Sequence, residues 1–280
     1  MMKNVAQHER TVRFRDLHAG DKPLQLANAW DATSARVLAA AGAPAIGTTS
    51  FGVALNHGTW DGEQLPFDQV LEVAHSIVSA VEVPVTIDME AGRGATPGEV
   101  QQSVGRVIAC GAVGINIEDS IPGQPGALRD TTEQSARISA ARSAAEQSGI
   151  PIFINARCDV YFGAQIAAAA SVGEVLARVK CYQDAGADGL FLPGLLDPVT
   201  IKTITTQVGL PVNIMIGTAG TPSFAELVDA GARRLSQGGA SFIAVLGSLK
   251  TLTERYLAGE LAPSEDDLTA GAALLPALVG

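Results

Sequence analysis

One short pattern occurs four times along the chain, and its spacing limits the folds available to it. A small residue, Gly and Ala precede an apolar run at Ala41-Gly42-Ala43-Pro44-Ala45-Ile46-Gly47, Cys110-Gly111-Ala112-Val113-Gly114-Ile115-Asn116, Ala185-Gly186-Ala187-Asp188-Gly189-Leu190-Phe191 and Ala230-Gly231-Ala232-Arg233-Arg234-Leu235. The copies follow helix-period stretches such as 34–40 and 176–182. The glycine therefore reads as the residue just past a helix end, where a positive φ is needed, and the apolar run as the buried strand after it. Each copy is an αβ unit.

Between the copies lie further strand candidates led by Pro or a polar residue, which brings the total to eight: 24–28, 44–48, 84–88, 113–118, 151–156, 188–192, 211–216 and 233–237. Eight such strands alternating with helices predict an α/β fold, a (β/α)8 TIM-type barrel with a C-terminal helical extension. A doubly wound open sheet is the alternative, but it would usually carry a Gly-rich phosphate turn after its first strand, where this chain has Asn28-Ala29-Trp30-Asp31. The expected division is a catalytic barrel over 1–246 and a helical tail over 247–280. The apolar stretch 268–279 has too few charges to lie exposed and should pack on the barrel or be exchanged between subunits.

At 280 residues and 47% apolar, the chain can bury its own core without disulfide or metal. A net charge of -10, with 19 Lys and Arg forming no basic run, argues against nucleic acid or an anionic membrane as partner. Small molecules are the expected partners. Three scattered cysteines (Cys110, Cys158, Cys181) form no CxxC pair, so neither zinc nor a disulfide framework is suggested. With no secretory h-region in 1–16 and no 18-residue apolar run, a soluble cytoplasmic protein is expected.

Barrels of this kind do their chemistry at the C-terminal ends of the strands. Those ends offer Thr48, Thr49 and Ser50 after the second strand, Asp88 and Glu90 after the third, Glu118 and Asp119 after the fourth, and Asn155, Arg157 and Asp159 after the fifth. Carboxylates of Asp88, Glu90 and Glu118, converging from neighbouring strands, would repel by roughly several kcal/mol at an effective dielectric of about 20. A divalent cation relieves that repulsion, and an all-oxygen donor set selects Mg²⁺ or Mn²⁺ over zinc. The competing reading is an inert ion network with Arg157 and Arg93.

The remaining polar residues carry less. His57 lies in the long second βα loop and reads as solvated, His75 as a helix-surface or packing residue, and Cys158 as a small core residue. Asp61, beside Trp60 in that same loop, sits where a mobile segment can fold over the mouth. No lysine falls at a strand end, which argues against Schiff-base chemistry. The Gly-rich segments 217–220 and 237–241 suit either a phosphate or a tight turn.

At these residues the chain resembles the isocitrate lyase and phosphoenolpyruvate mutase superfamily. The likeness runs from about residue 24 to 245, through Asn28-Ala29-Trp30-Asp31, Thr49-Ser50-Phe51-Gly52, Asp61, Asp88-Met89-Glu90-Ala91-Gly92-Arg93-Gly94, Gly114-Ile115-Asn116-Ile117-Glu118-Asp119, Asn155-Ala156-Arg157 and Pro211-Val212-Asn213. The resemblance implies a Mg²⁺-dependent barrel enzyme, dimeric or tetrameric, that acts on 2-oxo or 2-hydroxy carboxylates through a pyruvate-like enolate. By position, Asp88 is implied to hold the metal directly and Asp61, Glu90 and Glu118 through water. Trp30, Thr49, Ser50, Phe51 and Asn213 are implied to bind substrate, and Arg157 to clamp the oxyanion.

Departures from the family pattern narrow the chemistry. The loop 120–129, Ser120-Ile121-Pro122-Gly123-Gln124-Pro125-Gly126-Ala127-Leu128-Arg129, lacks the Cys, His, Lys and Asn that lyases and mutases of the family place there, which leaves Gln124 and Arg129 as its polar candidates. Glu90 stands where most members have Asp, Cys158 where Thr is usual, and Phe51 where Gly is usual. The expected activity is a lyase or decarboxylase that uses water or Gln124. A phosphonomutase and a non-catalytic carboxylate-binding descendant are the alternatives, with a phosphate-binding barrel as a third class.

Overall fold

A buried strand must satisfy its backbone through neighbours on both sides, and here eight parallel strands do so by closing on themselves. They are β1 (Leu24–Ala29), β2 (Ile46–Thr48), β3 (Val85–Asp88), β4 (Gly114–Glu118), β5 (Phe153–Arg157), β6 (Gly189–Leu192), β7 (Val212–Met215) and β8 (Arg234–Ser236). Each pairs with the next in chain order, and β8 returns to β1 with Arg234 opposite Leu24. All eight fall within the expected windows to within two residues at either end. This computed structural model describes residues 2–162, 172–260 and 262–278.

The helices alternate as the repeat requires: α1 (Met2–Ala19), α2 (Ala32–Ala40), α3 (Ser50–Asn56), α4 (Phe67–Ala80), α5 (Pro97–Ala109), α6 (Thr131–Ser148), α7 (Val172–Asp184), α8 (Pro198–Thr205), α9 (Phe224–Asp229), α10 (Ala240–Leu257) and α11 (Glu265–Leu278). The four repeat glycines, Gly42, Gly111, Gly186 and Gly231, all take φ between 85° and 102° just past helix ends. Three of these ends close with a Schellman bond, from Ala43, Ala187 and Ala232 back to Leu38, Tyr182 and Leu227. The main core lies between strands and helices, with Ile87, Ile115, Ile154, Leu190 and Ile214 on the outward face of the barrel.

Helix α1 was not expected from the polar segment 1–16, and it seals the N-terminal end of the barrel. Phe14 is fully buried against Leu24, Leu26, Val113 and Phe153, and Gln7 donates to the carbonyls of Ile108 and Ala112, both at 2.8 Å. His18 stacks on Phe153 at 4.1 Å. The opposite end stays open.

At the C-terminus α10 runs through position 247 without a break, so the barrel's eighth helix and the start of the tail are one element. Helix α11 then lies against α2, where Arg36 donates to the carbonyl of Leu278. Leu268 and Leu275 remain exposed on it, and Val279, the end of the expected apolar stretch, lies outside the described residues. No helix among the described residues is long and apolar enough to cross a membrane.

Candidate active site

The open end of the barrel holds a cavity of about 410 Å³, within the range of small-molecule sites. Its walls come from the strand ends and the loops after them: Thr48, Thr49, Ser50 and Phe51 after β2, Asp61, Asp88, Arg157, and the β7–β8 side with Met215, Arg234 and Ser236. This is the C-terminal face, as the fold demands.

The β2 end organises one wall. Thr49 caps α3, and Thr48 Oγ1 accepts the backbone N–H of Asp88 at 2.8 Å, which ties β2 to the end of β3. Ser50 Oγ sits 3.2 Å from Asp88 Oδ2 and 3.3 Å from Asp61 Oδ2, so two carboxylates from separate segments meet at one hydroxyl. Burial raises the Asp88 carboxyl above its ordinary range, Arg157, Ser50 and Arg93 oppose that rise, and Asp61 adds to it. Asp61 Oδ1 is buried and unpartnered. Two converging carboxylates with an orphaned oxygen and a hydroxyl between them suit a hard divalent cation that completes its shell with water. Among the described residues no group of three or more His, Cys, Asp or Glu side chains is placed to hold a metal ion.

Arg157 faces this pair from β5. Its Nη1 meets Glu118 Oε2 at 2.7 Å, and Nε and Nη2 fork onto Asp159 at 2.6 and 2.9 Å. The guanidinium lies over the rings of Phe162 and Phe191. Burial alone would lower this guanidinium, but Glu118, Asp159 and Asp88 outweigh it and hold it above its usual range. Burial also pushes the Glu118 carboxyl up to about 8 against the pull of Arg157. A buried chain fixes the clamp from behind: Tyr182 donates to Asp119 Oδ2 at 2.7 Å, and Asp119 Oδ1 accepts the backbone N–H of Asp159 at 2.8 Å.

Several expected site residues are placed elsewhere. Glu90, implied to reach the metal through water, is not among the residues that line the cavity. Its Oε1 accepts the backbone N–H groups of Gly62 and Glu63 at 2.7 and 2.6 Å, and its Oε2 pairs with Arg93. Both oxygens are thereby used by the loop that carries Asp61. Glu63, Glu90 and Arg93 are the non-glycine residues with positive φ among those described, and all three belong to this clasp, in which Arg93 N also donates to Glu63 Oε1 at 2.8 Å. Backbone strain of this kind persists where the surroundings over-determine it.

Glu118 is turned to Arg157 and is not on the cavity wall. Gln124, expected as a catalytic group, is exposed at the tip of a closed turn in which Ser120 bridges to Leu128, so its side chain is not brought to the site. Arg129 is spent on the Ser120 carbonyl and on Glu133. Trp30 packs edge-on against Phe242 at 5.2 Å and supports α3 and α10 from outside the cavity. Asn213 is buried and pairs with Ser236, so it supports a wall residue without being one. Phe51 does reach the cavity, and it needs Gly239: a Cβ there would lie 2.5 Å from Phe51 Cδ1. Cys158 is fully buried, and burial raises its thiol, as the core reading expects.

Below the strand ends lie two inward residues, Asn116 and Arg234, that the pattern of polar strand ends does not mark. Asn116 lines the cavity and its Oδ1 accepts from Asn155 Nδ2 at 3.0 Å and Arg234 Nη2 at 3.2 Å. Arg234 is buried at 2% exposure, and burial lowers its guanidinium to about 9 while Asp88 opposes. A signal was present: an arginine inside a short strand that otherwise reads as buried.

The profile of the family described as phosphoenolpyruvate phosphomutase matches residues 14–257. A solved structure provisionally called a phosphonomutase, from Burkholderia cenocepacia, is 42% identical and superposes with a TM-score of 0.83 over 89% of this chain and 99% of its own. An uncharacterised protein of Mycobacterium tuberculosis is 33% identical over 90% of this chain and 92% of its own length. An oxaloacetate decarboxylase of Pseudomonas entomophila is 26% identical over 88% and 84%.

Proposed function

The chain belongs to the phosphoenolpyruvate phosphomutase family of enzymes, and from that premise we propose that it cleaves or rearranges a C–C or P–C bond of a small 2-oxo or 2-hydroxy carboxylate through a pyruvate-like enolate. The observation that carries this reading is the meeting of Asp61 and Asp88 at Ser50 Oγ, opposite Arg157. Asp88 and Asp61 would hold Mg²⁺ or Mn²⁺, which when bound supplies positive charge to the carboxylate and oxo oxygens of the substrate. Glu118 and Glu90 would serve at a distance, the first by orienting Arg157 and the second by fixing the Asp61 loop.

Within the family's chemistry the wall favours decarboxylation of a 2-oxo dicarboxylate. Among the described residues no His, Cys, Lys or Tyr lines the cavity, so the reaction best served needs none of these as a proton donor. In decarboxylation the bond to the leaving carboxylate breaks, CO₂ departs, and the electron pair moves into the C2–O enolate. Arg157 N–H groups stabilise the charge that gathers on that oxygen. A water proton then returns to carbon and gives the 2-oxo monocarboxylate. The Pseudomonas entomophila relative, an oxaloacetate decarboxylase, supports this choice. The Burkholderia cenocepacia neighbour supports a phosphonomutase as the second reading.

The test is thermal unfolding with oxalate, a planar mimic of the pyruvate enolate, with and without Mg²⁺. At 100-fold excess over its dissociation constant a ligand of the native state adds about 2.7 kcal/mol. Stabilisation by oxalate that requires Mg²⁺ supports the site. No response in either condition removes it. An oxaloacetate and phosphonopyruvate turnover assay then separates the two chemistries.

A further inference from the structure

Of the buried arginines Arg129, Arg137 and Arg234, the first two pair with Glu133, whereas Arg234 has no carboxylate partner among the described residues. Its Nε and Nη1 have no hydrogen-bond partner, and its single bond runs from Nη2 to Asn116 Oδ1 at 3.2 Å. Asn116 is itself fixed by Asn155, so the guanidinium is aimed rather than loose. The side chain lines the mouth cavity and lies close enough to Asp88 to feel its charge. On the same wall α10 begins at Gly239 and Ala240 with no side-chain cap, which adds to the positive potential there.

A cation taken out of water without a counter-charge is costly, and native proteins keep such groups where a ligand completes them. We infer that Arg234 is a substrate anchor on the cavity floor, completed by the 1-carboxylate of the 2-oxo acid. The inference rests on the function proposed above and adds to it a residue on β8, across the barrel from the Asp61 and Asp88 pair. Chemistry decides which anionic group sits there. A fixed cation at a departing carboxylate would hold back the electrons that must leave it, so the anchor belongs to the group that keeps its charge throughout. Arg157 and Arg234 then divide the work, the first stabilising the new oxyanion and the second holding the carboxylate that never reacts.

The test compares the wild-type protein with Arg234→Met and Arg234→Lys. Mg²⁺-loaded protein is titrated calorimetrically with oxalate, pyruvate and 3-phosphonopyruvate, and ligand-free melting temperatures are measured alongside. The expected result is a loss of about 100-fold for all three ligands in Arg234→Met, with partial recovery in Arg234→Lys, since a charge-assisted buried contact is lost and then partly restored. The ligand-free Arg234→Met protein should melt at or above the wild-type temperature, because the substitution removes an uncompensated buried charge. A merely structural arginine would lower it. Unchanged oxalate affinity in folded Arg234→Met overturns the inference, and so does a loss confined to 3-phosphonopyruvate, which would put the distal group on Arg234 instead. If the wild-type protein ignores oxalate with Mg²⁺, the proposed metal site fails and this inference falls with it.

Discussion

Glu90 Oε1 accepts the backbone N–H of Gly62 at 2.7 Å, so a residue just past β3 holds the loop that presents Asp61 to the cavity. The extra methylene of Glu over Asp is what lets the carboxylate reach that loop while also pairing with Arg93. Glu90→Asp should fold, yet release the clasp. The expected result is a fall of about 10-fold in Mg²⁺-dependent oxalate affinity, equivalent to roughly 1.4 kcal/mol and in the range of one charge-assisted hydrogen bond. Titration of Mg²⁺ at fixed oxalate checks it, and an unchanged curve would show that Asp61 is placed without Glu90.

Asp88→Asn keeps the shape of the β3 end and removes one of the two charges at Ser50. Oxalate should then no longer raise the melting temperature in the presence of Mg²⁺, and turnover should drop below detection. The ligand-free protein should be at least as stable as wild type, because burial already raises the Asp88 carboxyl and Asp61 lies beside it. Retained Mg²⁺-dependent stabilisation would move the metal elsewhere.

Tyr182→Phe deletes the donor to Asp119, which in turn fixes Asp159 behind Arg157. The cost in stability should be about 1 kcal/mol, the usual net worth of a hydrogen bond. A misaligned Arg157 acts on the developing oxyanion more than on the bound substrate, so kcat should fall several-fold with KM little changed. A rise in KM alone would mean that Tyr182 supports binding and not the clamp.

His18 sets an acid limit on stability. Burial, with Arg234 and Arg15 adding, lowers its imidazole to about 3 from an ordinary 6.5, against a raising contribution from the Phe14 carbonyl. The unfolded chain therefore binds a proton that the folded chain refuses between these values, and stability is lost as pH falls through that window. At pH 5 the loss is about 2 kcal/mol relative to pH 7. His18→Leu should flatten this limb of the stability profile in urea melts at pH 5 and pH 7, and an unaltered slope would assign the acid sensitivity to other groups.

Helix α10 exposes Leu246, Leu249 and Leu257 and α11 exposes Leu268 and Leu275, more apolar side chain than a free helix pair commonly shows to water. Light scattering is expected to give at least a dimer. Leu249→Glu should shift the mass downward without loss of helix signal in circular dichroism. A monomeric wild-type protein would leave these faces without the proposed partner.

The sequence by itself determined the eight alternating strand and helix units, because their signals are local: a helix period, a glycine able to take φ near 90°, and an apolar run, repeated along the chain. It also determined which strand ends are polar, so Ser50, Asp61, Asp88 and Arg157 were legible before any coordinates, and the family pattern supplied their order. Tertiary structure decided what those ends face. A residue at a strand end can point into the mouth, as Asp88 does at the last position of β3, or across to a loop, as Glu90 does two residues on, and the difference lies in the left-handed backbone at Glu90 and in a partner 28 residues earlier. The same holds below the rim. Arg234 and Asn116 come from strands that are distant in sequence and not adjacent in the sheet, and their meeting depends on barrel closure, a global constraint that no local pattern encodes. Helix α1 has no local signature for a related reason: its buried residues, Gln7, Thr11, Phe14 and His18, are mostly polar, and their pairing with the barrel floor exists only once the barrel does.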